Sequence, residues 1–253
     1  MAEPILQPGL PKGQAEMAAA ALPRMQTIPL TDWLHQDSAY AAQLAEKRRL
    51  IAERPAAVMA LLPRAEAAAE ELAEMVAEAA LKLPGFAGDA GTITCPDGRV
   101  VDLTLPPLLR IAGLVQEDMC LLQIEDGEAV LTGALLCFPA AWTLAEKLGR
   151  PMTAIHTPVP RYDAQIAARV QRMMDHLAEG RVLLRANLLR YDLPDLYQPH
   201  SEAAPRPVGR PDSPYIRSER QTLRRLPRTG AIAFGIHTTV VRGPQAGVQS
   251  AIV

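Results

Sequence analysis

The residues best able to do chemistry lie in one short run, Ile155-His156-Thr157-Pro158-Val159-Pro160, with Pro151 just ahead of it. Proline has no N–H and a fixed φ, so neither a continuing helix nor a central strand runs through His156. The backbone there is expected to be a stiff, irregular connection. An imidazole on a rigid loop suits a transition-metal ion or a haem iron. The same loop equally suits a histidine that only hydrogen-bonds a neighbouring carbonyl. A second concentration of polar groups runs from Arg181 to Arg228, where ten arginines and no lysine stand against five acids. Guanidinium without ammonium suits forked pairing with carboxylates better than a loose polyanion surface.

Two strands are expected to carry those groups. Over 216–226, alternation places Ser218, Arg220, Thr222 and Arg224 on one face, and Arg217, Glu219, Gln221, Leu223 and Arg225 on the other. A strand polar on both faces also fits an exposed edge protected by charge. Over 231–241, Ile232, Phe234, Ile236 and Thr238 form a core stripe, while Ala231, Ala233, Gly235 and His237 share the opposite face. Small residues there are expected to leave room against the sheet for something flat and bulky. A loop histidine, arginines on the adjacent strand and such a floor together suit a cofactor with anionic arms, such as haem with its propionates.

The positioning elements follow from periodicity. Helical spacing is expected over 41–54 and, most strongly, over 65–83, which Pro84-Gly85 ends. After Gly85 the period falls to two. Hairpins are expected around Pro96-Asp97-Gly98 and Asp126-Gly127, joined by a short helix over 105–115. Further helices are expected over 142–148 and 161–178, and strands over 182–190, 216–226 and 231–241. Several antiparallel strands interrupted by helices, with helices in front, give an α+β fold. The expected division is a helical N-terminal extension over 1–85 and a sheet domain over 86–253, the first 30 residues draping over the surface.

Composition removes whole classes of function. A chain of 253 residues, 49% hydrophobic, can bury a real core, and a formal charge of −2 provides no basic field for nucleic acid. Cys95, Cys120 and Cys137 are distant from one another, which suits reduced, buried thiols and excludes a cluster held by four thiolates. No G-x-G-x-x-G or P-loop string occurs, so no nucleotide or hydride cofactor is expected on this chain. The start lacks the pattern of a secretory signal, and the longest apolar stretch, 129–142, falls short of the roughly 20 residues that span a bilayer. A cytoplasmic protein is expected. His35, His176 and His200 have no partner histidine at ligand spacing and are expected at the surface. Residues 191–199 are expected to be a loop or a partner-docking segment.

Longer strings narrow the reading. Trp33-Leu34-His35-Gln36-Asp37, Leu83-Pro84, the block Gln116 to Leu122, Cys137-Phe138-Pro139 with Trp142, and Glu146-Lys147-Leu148-Gly149 occur in that order. They continue with the His156 run, Arg185-Ala186-Asn187, and the block Glu219 to Pro227. In these strings the chain resembles the haem-dependent oxidative N-demethylases, over nearly its whole length. The resemblance implies a PAS-like antiparallel sheet holding haem b, with His156 as the iron ligand. It implies oxidation of a methyl group of a small secondary amine such as dimethylamine by O2, with release of formaldehyde. It also implies electrons from NADPH through a separate FMN and iron–sulfur reductase polypeptide, and so a hetero-oligomer. By the same resemblance Arg220, Arg224, Arg185 and Asn187 become cofactor-side residues, and Glu219 and Asp118 orient the amine or relay protons. Two departures stand out: Leu188 follows Asn187 where the family is expected to have tryptophan, and His237 stands where it often has arginine. His237 is thereby a rival ligand or a distal acid–base residue. A haem-binding PAS-type sensor and a non-catalytic interaction subunit remain as alternative functions.

Overall fold

The computed structural model describes residues 3–18, 25–155, 164–205 and 209–243. The chain opens with α1 (Gln14–Ala18) and β1 (Gln26–Ile28), then α2 (Tyr40–Glu53), α3 (Pro55–Val58), β2 (Met59–Leu61) and α4 (Glu66–Ala80). A small sheet of β3 (Ala87–Gly88), β4 (Thr92–Thr94) and β5 (Val100–Asp102) leads to α5 (Pro107–Leu114). The hairpin β6 (Asp118–Glu125) and β7 (Glu128–Leu135) follows, then α6 (Leu144–Lys147), α7 (Met152–Ile155) and α8 (Ala164–Asp175). Three long strands close the chain: β8 (Val182–Tyr191), β9 (Tyr215–Arg225) and β10 (Ile232–Arg242).

Local chemistry explains the principal elements. In α4 the apolar positions Ala69, Leu72, Ala73, Val76 and Ala80 recur at three and four residues and are fully buried. Proline stands at the first position of α5, where its missing N–H costs nothing. The β6–β7 hairpin turns on Asp126 and Gly127, both at positive φ, as a tight two-residue turn requires.

The main sheet has seven strands in the order β1-β8-β9-β10-β6-β7-β2, every pair antiparallel. The α+β class is therefore as expected. The front of the chain is not only helical, because β1 and β2 supply both edges of this sheet. β9 lies in the middle of the sheet, so the edge-strand reading of its polar side chains is overturned. What makes a charged central strand tolerable is partnership. Buried Arg217 donates to the carbonyls of Leu196 (2.9 Å) and Phe138, and Arg225 to those of Leu177 (2.7 Å), Met174 (2.5 Å) and Gly230 (2.8 Å).

Cross-strand register sorts the side chains into two faces. Arg185, Asn187, Glu219, Gln221, Phe234 and Ile236 share one face; Ala186, Arg220, Thr222, Arg224, Gly235 and His237 share the other. The second face carries the larger apolar core, in which Ala231 and Ala233 join Trp33, Leu72 and Ile111. The expected floor for a flat group is not open over Ala231, Ala233 and Gly235, because helices and side chains already pack on them. A Cβ built on Gly235 would lie 2.7 Å from Thr222 Oγ1 and 3.3 Å from Met119 Sδ. The first face carries a smaller core, in which Met152 and Ile155 of α7 pack with Leu223, Ile232 and Met174. Among the described residues no helix is long and apolar enough to cross a membrane.

Candidate functional site

His156, first among the candidate residues, lies outside the described residues. The described chain reaches Ile155, at the end of α7, whose Met152 and Ile155 pack against the first face of the sheet. On that face β8 and β9 bring Arg185, Asn187, Glu219 and Gln221 together, with Asn187 opposite Glu219 and Arg185 opposite Gln221. The Asn187 side chain locks this pair: its Nδ2 donates to Glu219 Oε2 (3.0 Å) while its Oδ1 accepts the Glu219 N–H (3.1 Å). Gln221 Nε2 also donates to Oε2 (2.9 Å), and Arg217 Nε stands 3.5 Å from Oε1. Oε2 is thus saturated with amide donors, and Oε1 retains accepting capacity for a further N–H.

Arg185 is the odd member. It is largely buried, which lowers its pKa against the opposing pull of Glu219, and its Nε has no hydrogen-bond partner among the described residues. Most buried guanidinium N–H groups in folded proteins find a carbonyl or carboxylate, and this one is left available to a further acceptor.

Asp118 shares this face through its pairing with Ile236, yet it is already engaged. Its Oδ1 is 3.2 Å from Lys47 Nζ, and its Oδ2 accepts the Phe138 N–H at 2.6 Å. Both side chains are buried; desolvation lifts the Asp118 pKa, with Lys47 opposing. The group ties α2 to the start of β6 and to the turn after β7.

The remaining candidates lie on the opposite face. Arg220 donates to the carbonyls of Trp33 (3.0 Å) and Asp32, and the Arg224 guanidinium stacks 4.3 Å from the Trp33 ring. Both fasten the front of the chain to β9. His237 is fully buried, and burial, aided by His35, depresses its pKa to about 3. Its ring meets that of His35 edge-on, with centroids 4.7 Å apart. His35 is therefore half-buried against a partner histidine and not the isolated surface residue expected. The local signal for it was the spacing His35-x-Asp37 directly after the apolar pair Trp33-Leu34. Nothing local flagged Gln7 or Lys47, whose partners are far away in sequence.

A family model for haem-dependent oxidative N-demethylase, alpha subunit-like proteins matches residues 24–245. The chain belongs to that family. The match takes in His156 and every other candidate residue named above. Within this alpha subunit-like chain, the first face offers a haem the unpartnered Nε of Arg185 for a propionate, two amides, and an apolar flank from Phe234 and Ile236. Arg220 and Arg224 fit it less well, since their positive ends are already directed to the Asp32–Trp33 segment on the far side of the sheet.

Proposed function

We propose that this chain is the haem-binding subunit of an oxidative N-demethylase acting on a small secondary amine such as dimethylamine. The overall change would be dimethylamine plus O2, two electrons and two protons giving methylamine, formaldehyde and water. The electrons would come from NADPH through a separate flavin and iron–sulfur reductase polypeptide, consistent with a chain that carries no nucleotide motif and only three cysteines.

The observation that carries this reading is the juxtaposition on one sheet face of Glu219, held by two amides, with Arg185, whose Nε has no hydrogen-bond partner among the described residues, on the side where α7 ends one residue before His156. In the proposal His156 holds the iron, and Arg185 with Asn187 receives the propionate side. Bound haem supplies the activation of O2. Glu219 accepts an N–H of the protonated amine at Oε1, orients its methyl group and removes the proton that keeps the nitrogen lone pair unreactive. The fixed Oε2 bonds keep that carboxylate from rotating away.

The test is spectroscopic first. Purified protein is expected to show a Soret band that shifts on dithionite reduction, and His156→Ala to lose the band or its haem. Dimethylamine with NADPH and a matched reductase is expected to yield formaldehyde. A colourless protein that cannot be reconstituted with haem would leave an interaction subunit; haem without turnover would leave a PAS-type sensor.

A further inference from the structure

On the face opposite the proposed haem side, His35, Asp37 and His237 converge. One donor atom from each lies within 4.8 Å of the other two. Ligands on one ion at about 2.0–2.2 Å sit roughly 3–3.5 Å apart, so closing this set takes shifts of about 1 Å. His237 is wholly buried, and both of its ring nitrogens lack a hydrogen-bond partner among the described residues. Nε2 is 3.6 Å from Asp37 Oδ2, too long for a hydrogen bond. An imidazole with two orphaned nitrogens in a dry interior is costly unless something binds it.

The surroundings are built as a ligand's outer shell is built. Asp37 Oδ1 accepts from Gln116 Nε2 (2.8 Å) and the Ala39 N–H (2.8 Å), and Oδ2 accepts from Gln7 Nε2 (2.8 Å). Gln116 is held in turn by Gln43 Oε1 (2.8 Å) and accepts the Asp37 N–H (2.9 Å), which fixes the carboxylate from both sides. The His35 N–H donates to Glu117 Oε1 at 2.7 Å, fixing the backbone that carries the first imidazole. Such second partners orient first ligands and raise affinity. Of the three, His35 borders a cleft of about 490 Å³ that Lys12, Gln36, Asp32 and Arg220 also line, so the cluster meets open space at that residue.

We propose that His35, Asp37 and His237 form a site for one divalent first-row transition-metal ion, separate from the haem iron. Two imidazoles and one carboxylate are the donor set that suits zinc or ferrous iron and leaves coordination positions open. With Lys12 and Arg220 in the cleft, the open positions favour an anionic oxygen ligand. The proposal stands whether or not haem binds the other face.

Full-length protein, purified as it is expressed and dialysed against a chelator, would be equilibrated with buffered Zn2+ and, without oxygen, with Fe2+. Metal content would then be measured by mass spectrometry. One Zn2+ per chain beyond any haem iron is expected. Asp37→Asn and His35→Ala should each weaken it by more than about tenfold, with circular dichroism and the visible spectrum retained. The exposed His176→Ala should bind as the parent does. No stoichiometric metal in the parent, or unchanged binding in the two folded ligand variants, would overturn the proposal and leave a buried polar cluster.

Discussion

At the scale of single residues, the buried carboxylates differ in the partners that hold them. Asp118 and Glu117 are buried and pushed up in pKa by desolvation, and each holds a backbone or an ammonium group in place. Glu219 is also buried, but its partners are the neutral amides of Asn187 and Gln221, with Arg217 more distant. Neutral donors position a carboxylate without neutralising it, and the Arg217 pair at 3.5 Å is longer than the Lys47–Asp118 pair at 3.2 Å. Glu219→Gln is therefore expected to keep haem content and the visible spectrum while formaldehyde release falls about a hundredfold, the usual scale for a lost acid–base group. Unchanged turnover in that variant would mean that Glu219 only cross-links β8 and β9.

At the scale of elements, β9 and β10 are joined by a turn that a helix clamps from outside. Glu71 of α4 accepts the N–H of Arg228 (2.6 Å), the N–H of Thr229 (2.9 Å) and the Thr229 hydroxyl (2.6 Å). Burial pushes its pKa up, but these bonds, led by Thr229, outweigh burial and hold it below the ordinary 4.5. A carboxylate depressed on folding contributes stability that is fully present above its unfolded pKa and is lost as pH falls through its folded one. Urea midpoints of the parent should thus decline below about pH 4.5. Glu71→Gln should be less stable by about 2 kcal/mol at neutral pH, and should show a shallower decline over that acid window. Parallel pH curves for the two proteins would remove Glu71 as a contributor.

At the scale of the whole molecule, the sheet works as a wall between two unlike sides. One side is closed by α2, α4, α5 and α1 and holds the His35–Asp37–His237 cluster; the other carries the smaller core of α6, α7 and α8 and the Glu219–Arg185 group. Leu10, Ala15 and Ala18 cover Leu188, Ile216 and Val241, Gln14 accepts from Ser218, and Gln7 reaches both Asp37 and Val240. Deleting the first 18 residues is expected to lower the melting temperature and any Zn2+ affinity while the haem spectrum persists, since the deleted contacts lie on the far side. Loss of haem from a still-folded truncation would show that the two sides are coupled.

Most of the elements were legible because their signals are local: the three- and four-residue spacing of α4, the Asp126-Gly127 turn, and the alternation along β8, β9 and β10. The resemblance carried by the strings around His156 and Glu219 pointed to the family that the match over 24–245 shows. Pairing between distant strands was not legible. Whether polar β9 is an edge or the centre depends on what lies beside it, and Ala231, Ala233 and Gly235 read alike as a cleared floor or as close packing until Met119, Thr222 and Trp33 are brought in. The same holds for His237, which is 200 residues from the two side chains it meets. Periodicity determines which way a side chain points along its own element; only the tertiary structure decides which other element it points at.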